Sequence, residues 1–290
     1  MSPIIFETTL FGFLNKPFSL HWYGLLIAMG FWVSMIFARR QALRENEDPE
    51  KVQDMAFWLL LFGLMGARCI FILTRWDAYM RDPIKILTFW EGGFVFYGGF
   101  IGAAFTLIYY TTVHKLPFFK YADLLIPFLA MAHAVGRLGC LMAGCCFGEP
   151  TDAAWGIQFP SGSSCHIQHL RLGDVGANEA SLPVHPTQLY EAAAELFMFF
   201  YLSWLRMRKR FHGQVLLAWL VGYPIIRSVI ELYRGDKIRG IYKVIDADWF
   251  PALSTSQYIS ILVALSAIGT WLYLRKTHAR PLTITGQEEG

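Results

Sequence analysis

Charge is what this sequence has least of. Asp, Glu, Lys and Arg together make up 16% of its 290 residues, against about 25% in soluble domains. So few charges cannot cover the surface of a soluble protein of this length, and that class is excluded. The net charge of +3 is too small to point to nucleic acid, whose phosphates call for a concentrated basic face. Five cysteines are too few for a disulfide-built scaffold and lack zinc-ribbon spacing. Residues 1–17 have neither a basic n-region nor a small-residue cleavage site, so no removable signal peptide is expected. The absence of an internal repeat weighs against an inverted-repeat transporter.

What is abundant points the same way. Hydrophobic residues reach 55% and aromatics 16%, with 24 Phe and 10 Trp, and the mean hydropathy is +0.38. A bilayer core takes about 17–25 mostly apolar residues per helix. Seven segments qualify: 20–38, 55–74, 94–113, 122–142, 189–205, 214–232 and 258–274. The second, fourth and sixth carry arginines and are kept because the flanking charges alternate from side to side. The expected fold is an all-α integral membrane protein with seven transmembrane helices. Its parts are an extracytoplasmic segment 1–19, a membrane domain 20–274 and a cytoplasmic tail 275–290.

Orientation follows from Lys and Arg in the loops. One side collects 13 and the other 9, and the RMRKR run at 206–210 is the strongest local signal. The N-terminus is therefore expected outside and the C-terminus in the cytoplasm. The longest loop, 143–188, is then extracytoplasmic. Rich in Gly, Ser and Pro and without helical periodicity, it is expected to form a small cap.

Within the spans, Arg68, Arg137 and Arg227 lie 13, 15 and 13 residues from the inner ends of the second, fourth and sixth. That is roughly 20 Å at a helical rise of about 1.5 Å per residue, in the outer half of a core about 30 Å thick. A charge there must meet a partner or a wet cavity. Internal salt bridging is an open reading for Arg68. Glu231, four residues after Arg227, shares its face. Arg137 has no acidic residue at helical spacing, and its planar paired donors suit a ligand phosphate. Tyr23, Tyr97 and Tyr223 converge on the same level, although a tyrosine at a span end is ordinarily an interfacial belt residue. Glycines around Tyr97 allow close approach, either helix to helix or helix to ligand. A phosphate-bearing lipid of the outer leaflet fits this placement.

Several motifs then become recognisable. HPTQLYE (185–191), HWYG (21–24), GGFVFYGGFIG (92–102), GRLG (136–139) and YPIIRSVIELYRGD (223–236) resemble the prolipoprotein diacylglyceryl transferase family, in that family's order. The resemblance implies an enzyme of the bacterial inner (cytoplasmic) membrane. Such enzymes move diacylglycerol from phosphatidylglycerol to the lipobox cysteine thiol of a prolipoprotein and release glycerol phosphate. It assigns catalytic work to Arg137, Arg227, Tyr97 and Tyr23, and lipid binding to Arg137, Arg227, Glu231, Tyr223, Gly136, Gly148 and His185. No cofactor, metal or nucleic acid is implied.

The chain departs from the family pattern in two places. Tyr97 stands where the family often has His, and a phenol of pKa about 10 is a poor base near neutral pH. In GRLGCLMAGCCFG, Cys140 replaces an Asn and Cys145 a Glu. Either Glu231 or His185 then serves as base, or the chain is a divergent paralogue with another acceptor. A lipid or anion transporter is the rival from another class. For Cys140, Cys145, Cys146 and Cys165 several readings stay open: small packed residues, a disulfide from Cys145 or Cys146 to Cys165, a metal site with His166 and His169, or thiol catalysis.

Overall fold

The computed structural model describes residues 4–8, 18–86, 93–235, 241–242 and 253–277. Its helices, in order, are α1 (Trp22–Arg44), α2 (Pro49–Thr74), α3 (Trp76–Arg81), a 3-10 turn at Pro83–Ile86, α4 (Phe96–Val113) and α5 (Phe118–Ala143). Then come α6 (Ser164–Leu172), α7 (Thr187–Met207), α8 (Gln214–Glu231) and α9 (Thr255–Thr277). Each of the seven expected spans falls on one of the long helices. Six of these are long and apolar enough to cross a membrane; α7 is not, because its first turns are polar. Their outward faces carry large apolar side chains, among them Phe105 at 68% and Leu262 at 66% exposure. Exposed apolar surface on this scale suits lipid and not water. The protein is a helical, multi-pass membrane protein.

Two strand pairs qualify the all-α expectation. β1 (Ile4–Thr8) pairs antiparallel with β2 (Phe18–His21), and β3 (Ile241–Tyr242) with β4 (Leu253–Ser254). The first helix accordingly begins at Trp22, and Leu20, expected to open the first span, belongs to β2. Lys16, Lys237, Arg239, Lys243 and Arg280 of the loop-charge count lie outside the described residues, as do Gly92 and Asp236 of the motifs.

The chain divides into two compact units, 35–125 and the remainder. In the unit 35–125, Asp48 caps α2 by accepting from Glu50 N at 2.9 Å, and Pro49 supplies a preset φ at the first helical position. α2 and α4 then meet through glycine. A Cβ on Gly66 would sit 2.4 Å from Gly98 O, and one on Gly98 2.3 Å from Gly66 O. The glycines near Tyr97 therefore serve helix-to-helix approach. Between α1 and α2, Glu47 meets Lys120 and accepts from Tyr121 Oη at 2.6 Å. Burial alone would raise the Glu47 carboxyl, but these hydrogen bonds hold it below the usual carboxylate range.

In the other unit, Ile126 and Ala130 of α5, Met198 and Leu202 of α7, and Val215 and Trp219 of α8 form an apolar core. Arg206, counted above among the surface charges, is buried with its guanidinium 5.3 Å from the centre of the Phe128 ring.

The loop 143–188 is folded around Phe147, Phe159, Cys165 and Val184, which pack with Leu141. It contains α6, which the loop's lack of helical periodicity did not announce. Ser163 caps it by accepting from His166 N, and Gly173 ends it in the left-handed region. Its buried positions are Cys165, His166 and His169, so the sequence shows no apolar periodicity there.

Candidate functional site

The site is built where the last turns of α5 face the first turns of α7. α7 buries one stripe that is polar in its first half (Gln188, Glu191, Glu195) and apolar in its second (Met198, Leu202). Glu191 and Glu195, one turn apart, are 1% and 0% exposed. His133 and Arg137 are one turn apart on α5, at the same i,i+4 spacing.

The two pairs interlock. Arg137 Nη2 lies 2.8 Å from Glu191 Oε1, and Arg137 Nε donates to His133 Nε2 at 3.1 Å. His133 Nδ1 lies 3.1 Å from Glu195 Oε1. A guanidinium N–H can only donate, so Nε2 is the acceptor and the ring proton sits on Nδ1, where Glu195 accepts it. Burying these charges without partners would be strongly unfavourable; the network supplies a partner to each. Arg137 is therefore not the unaccompanied charge its own helix suggests. Its carboxylate comes from another helix, 54 residues along the chain.

α8 contributes Tyr223, Arg227 and Glu231 on successive turns. The expected i,i+4 pair forms, with Arg227 Nη2 at 2.8 Å from Glu231 Oε2. Arg227 Nη1 is buried without a hydrogen-bond partner among the described residues. The Tyr223 ring stacks on Trp219 at 5.2 Å and lies 5.5 Å from the His133 ring. It lies within electrostatic reach of Glu191, Arg137, Arg227 and Glu195.

Tyr23 packs on the glycine of the GRLG turn: a Cβ on Gly139 would meet Tyr23 O at 3.3 Å and Cδ2 at 3.4 Å. Gly136 is less crowded, with Ile27 Cγ1 at 3.9 Å from its would-be Cβ. Gly148 is fixed by packing, since a Cβ there would lie 2.6 Å from His185 O and 2.7 Å from Tyr233 O. His185 is held by Tyr190, whose hydroxyl is 3.1 Å from Nδ1 and accepts from Trp155 Nε1 at 2.7 Å. Tyr97 falls in the unit 35–125, in the first turn of α4, with its ring 6.0 Å from that of Phe96. Arg68, in the same unit, donates to the carbonyls of Gly93 at 3.2 Å and Lys85 at 3.0 Å.

The site contains two residues that the sequence did not single out, His133 and Glu195. The only signal available was their i,i+4 spacing to Arg137 and Glu191.

The cysteines separate into two kinds. All five are free, so the disulfide considered for Cys165 is not formed. Cys165 is fully buried in the loop core, and burial pushes its thiol up to about 11. Nor do the neighbouring histidines form with it a group placed to hold a metal among the described residues, and backbone groups engage three of their ring nitrogens. His166 Nδ1 accepts from Gly162 N at 3.0 Å while Nε2 faces Gly176 O at 3.1 Å, and His169 Nδ1 accepts from Leu182 N at 3.3 Å. Cys140, Cys145 and Cys146, by contrast, converge, with all three Sγ atoms within 4.8 Å of one another.

Known proteins are similar to this chain along nearly its whole length. The family model described as prolipoprotein diacylglyceryl transferase matches residues 9–273. Phosphatidylglycerol–prolipoprotein diacylglyceryl transferase of Bordetella parapertussis is 31% identical over 91% of this chain and 94% of its own. The proteins of that name from Synechococcus elongatus and Vibrio vulnificus are each 30% identical. The first match covers 89% of this chain and 85% of the relative, the second 92% and 93%. A match of this extent shows that the chain belongs to the prolipoprotein diacylglyceryl transferase family.

Proposed function

We propose that the protein transfers the diacylglyceryl group of phosphatidylglycerol to the lipobox cysteine thiol of prolipoproteins, as the names of its relatives describe. The observation that carries this reading is the buried Nη1 of Arg227, which has no hydrogen-bond partner among the described residues. A buried guanidinium nitrogen needs an acceptor, and a lipid phosphate supplies one. Glu231 and Glu191 hold the two guanidinium groups in place, leaving their remaining donors for the phosphate. Charge that develops on the departing phosphate meets donors already oriented, which lowers the barrier. The thiol sulfur forms a bond to the glyceryl methylene as its C–O bond breaks. The oxygen keeps that electron pair and leaves as glycerol phosphate.

Seven spans, with the N-terminus outside and the C-terminus in the cytoplasm, accord with the packing. The charges that lower the hydropathy of α7 point inward, while its outward face offers Phe197 at 71% exposure, Phe200 and Trp204. In that orientation Arg137 and Arg227 sit near the outer ends of α5 and α8, open to a donor from the outer leaflet of the inner membrane. The opposite ends of α5, α7 and α8 close on the apolar core of Ile126, Leu202 and Val215, which gives an anion no path onward and disfavours a transporter.

Incubation of the purified protein with labelled phosphatidylglycerol and a lipobox peptide tests the reading. Thioether-linked peptide is expected; folded protein that binds the lipid and yields none overturns it.

A further inference from the structure

The three converging thiols lie on a turn held in a fixed shape. Cys140 is in the last turn of α5, and Cys145 and Cys146 follow Gly144 just beyond it. Gly144 at φ 64° and Cys146 at φ 62° both take the left-handed conformation, uncommon for a residue with a side chain. The first turn of α7 clamps the segment: Gln188 Nε2 donates to Cys145 O and Thr187 Oγ1 to Cys146 O, each at 2.7 Å. Thr187 and Gln188 are themselves 1% exposed.

We propose that Cys140, Cys145 and Cys146 bind one zinc ion, whose fourth position takes the thiol of the acceptor. The geometry is near what the ion requires. Tetrahedral zinc–thiolate bonds of about 2.3 Å place sulfurs about 3.8 Å apart, so a shift of about an ångström or less closes the site. Three protein ligands and one exchangeable position are the pattern of a catalytic zinc. A thiol that coordinates there loses its proton outright, and thiol transfer needs the thiolate.

This inference rests on the proposed function for the identity of the acceptor, and it departs from the metal-free reading of the sequence. The acceptor thiol gives up its proton on coordination, and its sulfur electron pair forms the C–S bond. The C–O bond of the lipid breaks toward oxygen. Glycerol phosphate leaves with that pair and takes up the proton, the thioether dissociates, and zinc keeps its oxidation state.

The test uses full-length protein purified in detergent under reducing conditions and equilibrated with zinc, with metal measured by mass spectrometry. One zinc per chain is expected. Cys140→Ser, Cys145→Ser and Cys146→Ser should each lose more affinity than the ~10–100-fold that removing an outer-shell partner costs, while Cys69→Ser and Cys165→Ser retain it. Stripping unmutated protein with a chelator and reloading it makes the comparison without relying on the folding of any variant. With cobalt in place of zinc, a lipobox peptide should change the thiolate–metal absorption, and the same peptide with Ser for Cys should not. Wild-type protein that holds no zinc, or that takes up only Cu(I), overturns the site. Bound metal whose spectrum ignores the cysteine peptide overturns the acceptor role. Neither readout needs turnover: a peptide-dependent spectrum without thioether product leaves the metal site standing and removes the lipid-transfer reading.

Discussion

Glu195 of α7, fully buried, accepts the ring Nδ1–H of His133 on α5 at 3.1 Å, and the opposite nitrogen of that ring receives Arg137. The carboxylate therefore sets the position of an arginine it does not touch. Glu195→Ala should leave a buried imidazole N–H without an acceptor, at a cost of about 1–3 kcal/mol in stability, and should lower turnover. Glu195→Gln keeps an oxygen acceptor and should retain most of both. Thermal unfolding in detergent and a transfer assay check this; an alanine variant that melts and turns over like wild type contradicts it.

Arg137→Ala should abolish transfer. Arg137→Lys should restore it only in part, because an ammonium lacks the fork that reaches His133 and Glu191 at once. Full activity in the lysine variant would mean that only charge is used. Glu231→Gln should also slow transfer, since it leaves Arg227 without its charged partner.

The contact between α2 and α4 predicts a contrast among glycines. Gly66→Ala and Gly98→Ala must push a methyl against backbone oxygen at 2.4 and 2.3 Å, while Gly63→Ala meets Gly99 O at an ordinary 3.6 Å. The first two should cost about 1–3 kcal/mol or more by overpacking, and the third should be tolerated. Yield and melting temperature of the three variants decide it; equal behaviour would contradict the close approach.

The loop 143–188 should loosen in acid. Burial holds His169 below the usual imidazole range, so the folded loop resists its protonation more than the unfolded chain does. The stability it contributes is fully present above about pH 6.5 and is lost as pH falls below that value. Limited proteolysis of the loop at pH 7.5 and 5.5 should show faster cleavage at the lower pH, less so in His169→Gln. A pH-independent rate in wild-type protein would contradict the assignment.

Much of this structure was legible in the chain. Long apolar runs locate the helices, and i,i+4 spacing gives the Arg227–Glu231 pair, because both signals are local. What crosses between helices was not legible. Glu191 stands in a recognisable motif, yet nothing along the sequence announces that it meets Arg137. His133 in an apolar helix looks like any other core histidine until Glu195 is opposite it. Buried Arg206 and the short α6 escaped for the same reason: their partners, Phe128 in one case and loop backbone in the other, are set by tertiary packing.

The two arginines, each braced by a carboxylate, are proposed to bind a lipid phosphate and release it as the thioether forms. The most direct measurement follows both products together, with phosphatidylglycerol labelled in its headgroup and a lipobox peptide as acceptor. Wild-type protein should release one glycerol phosphate for each thioether-linked peptide, and Arg137→Ala, folded, should release neither. Thioether formed without glycerol phosphate, or undiminished release by Arg137→Ala, would contradict the account.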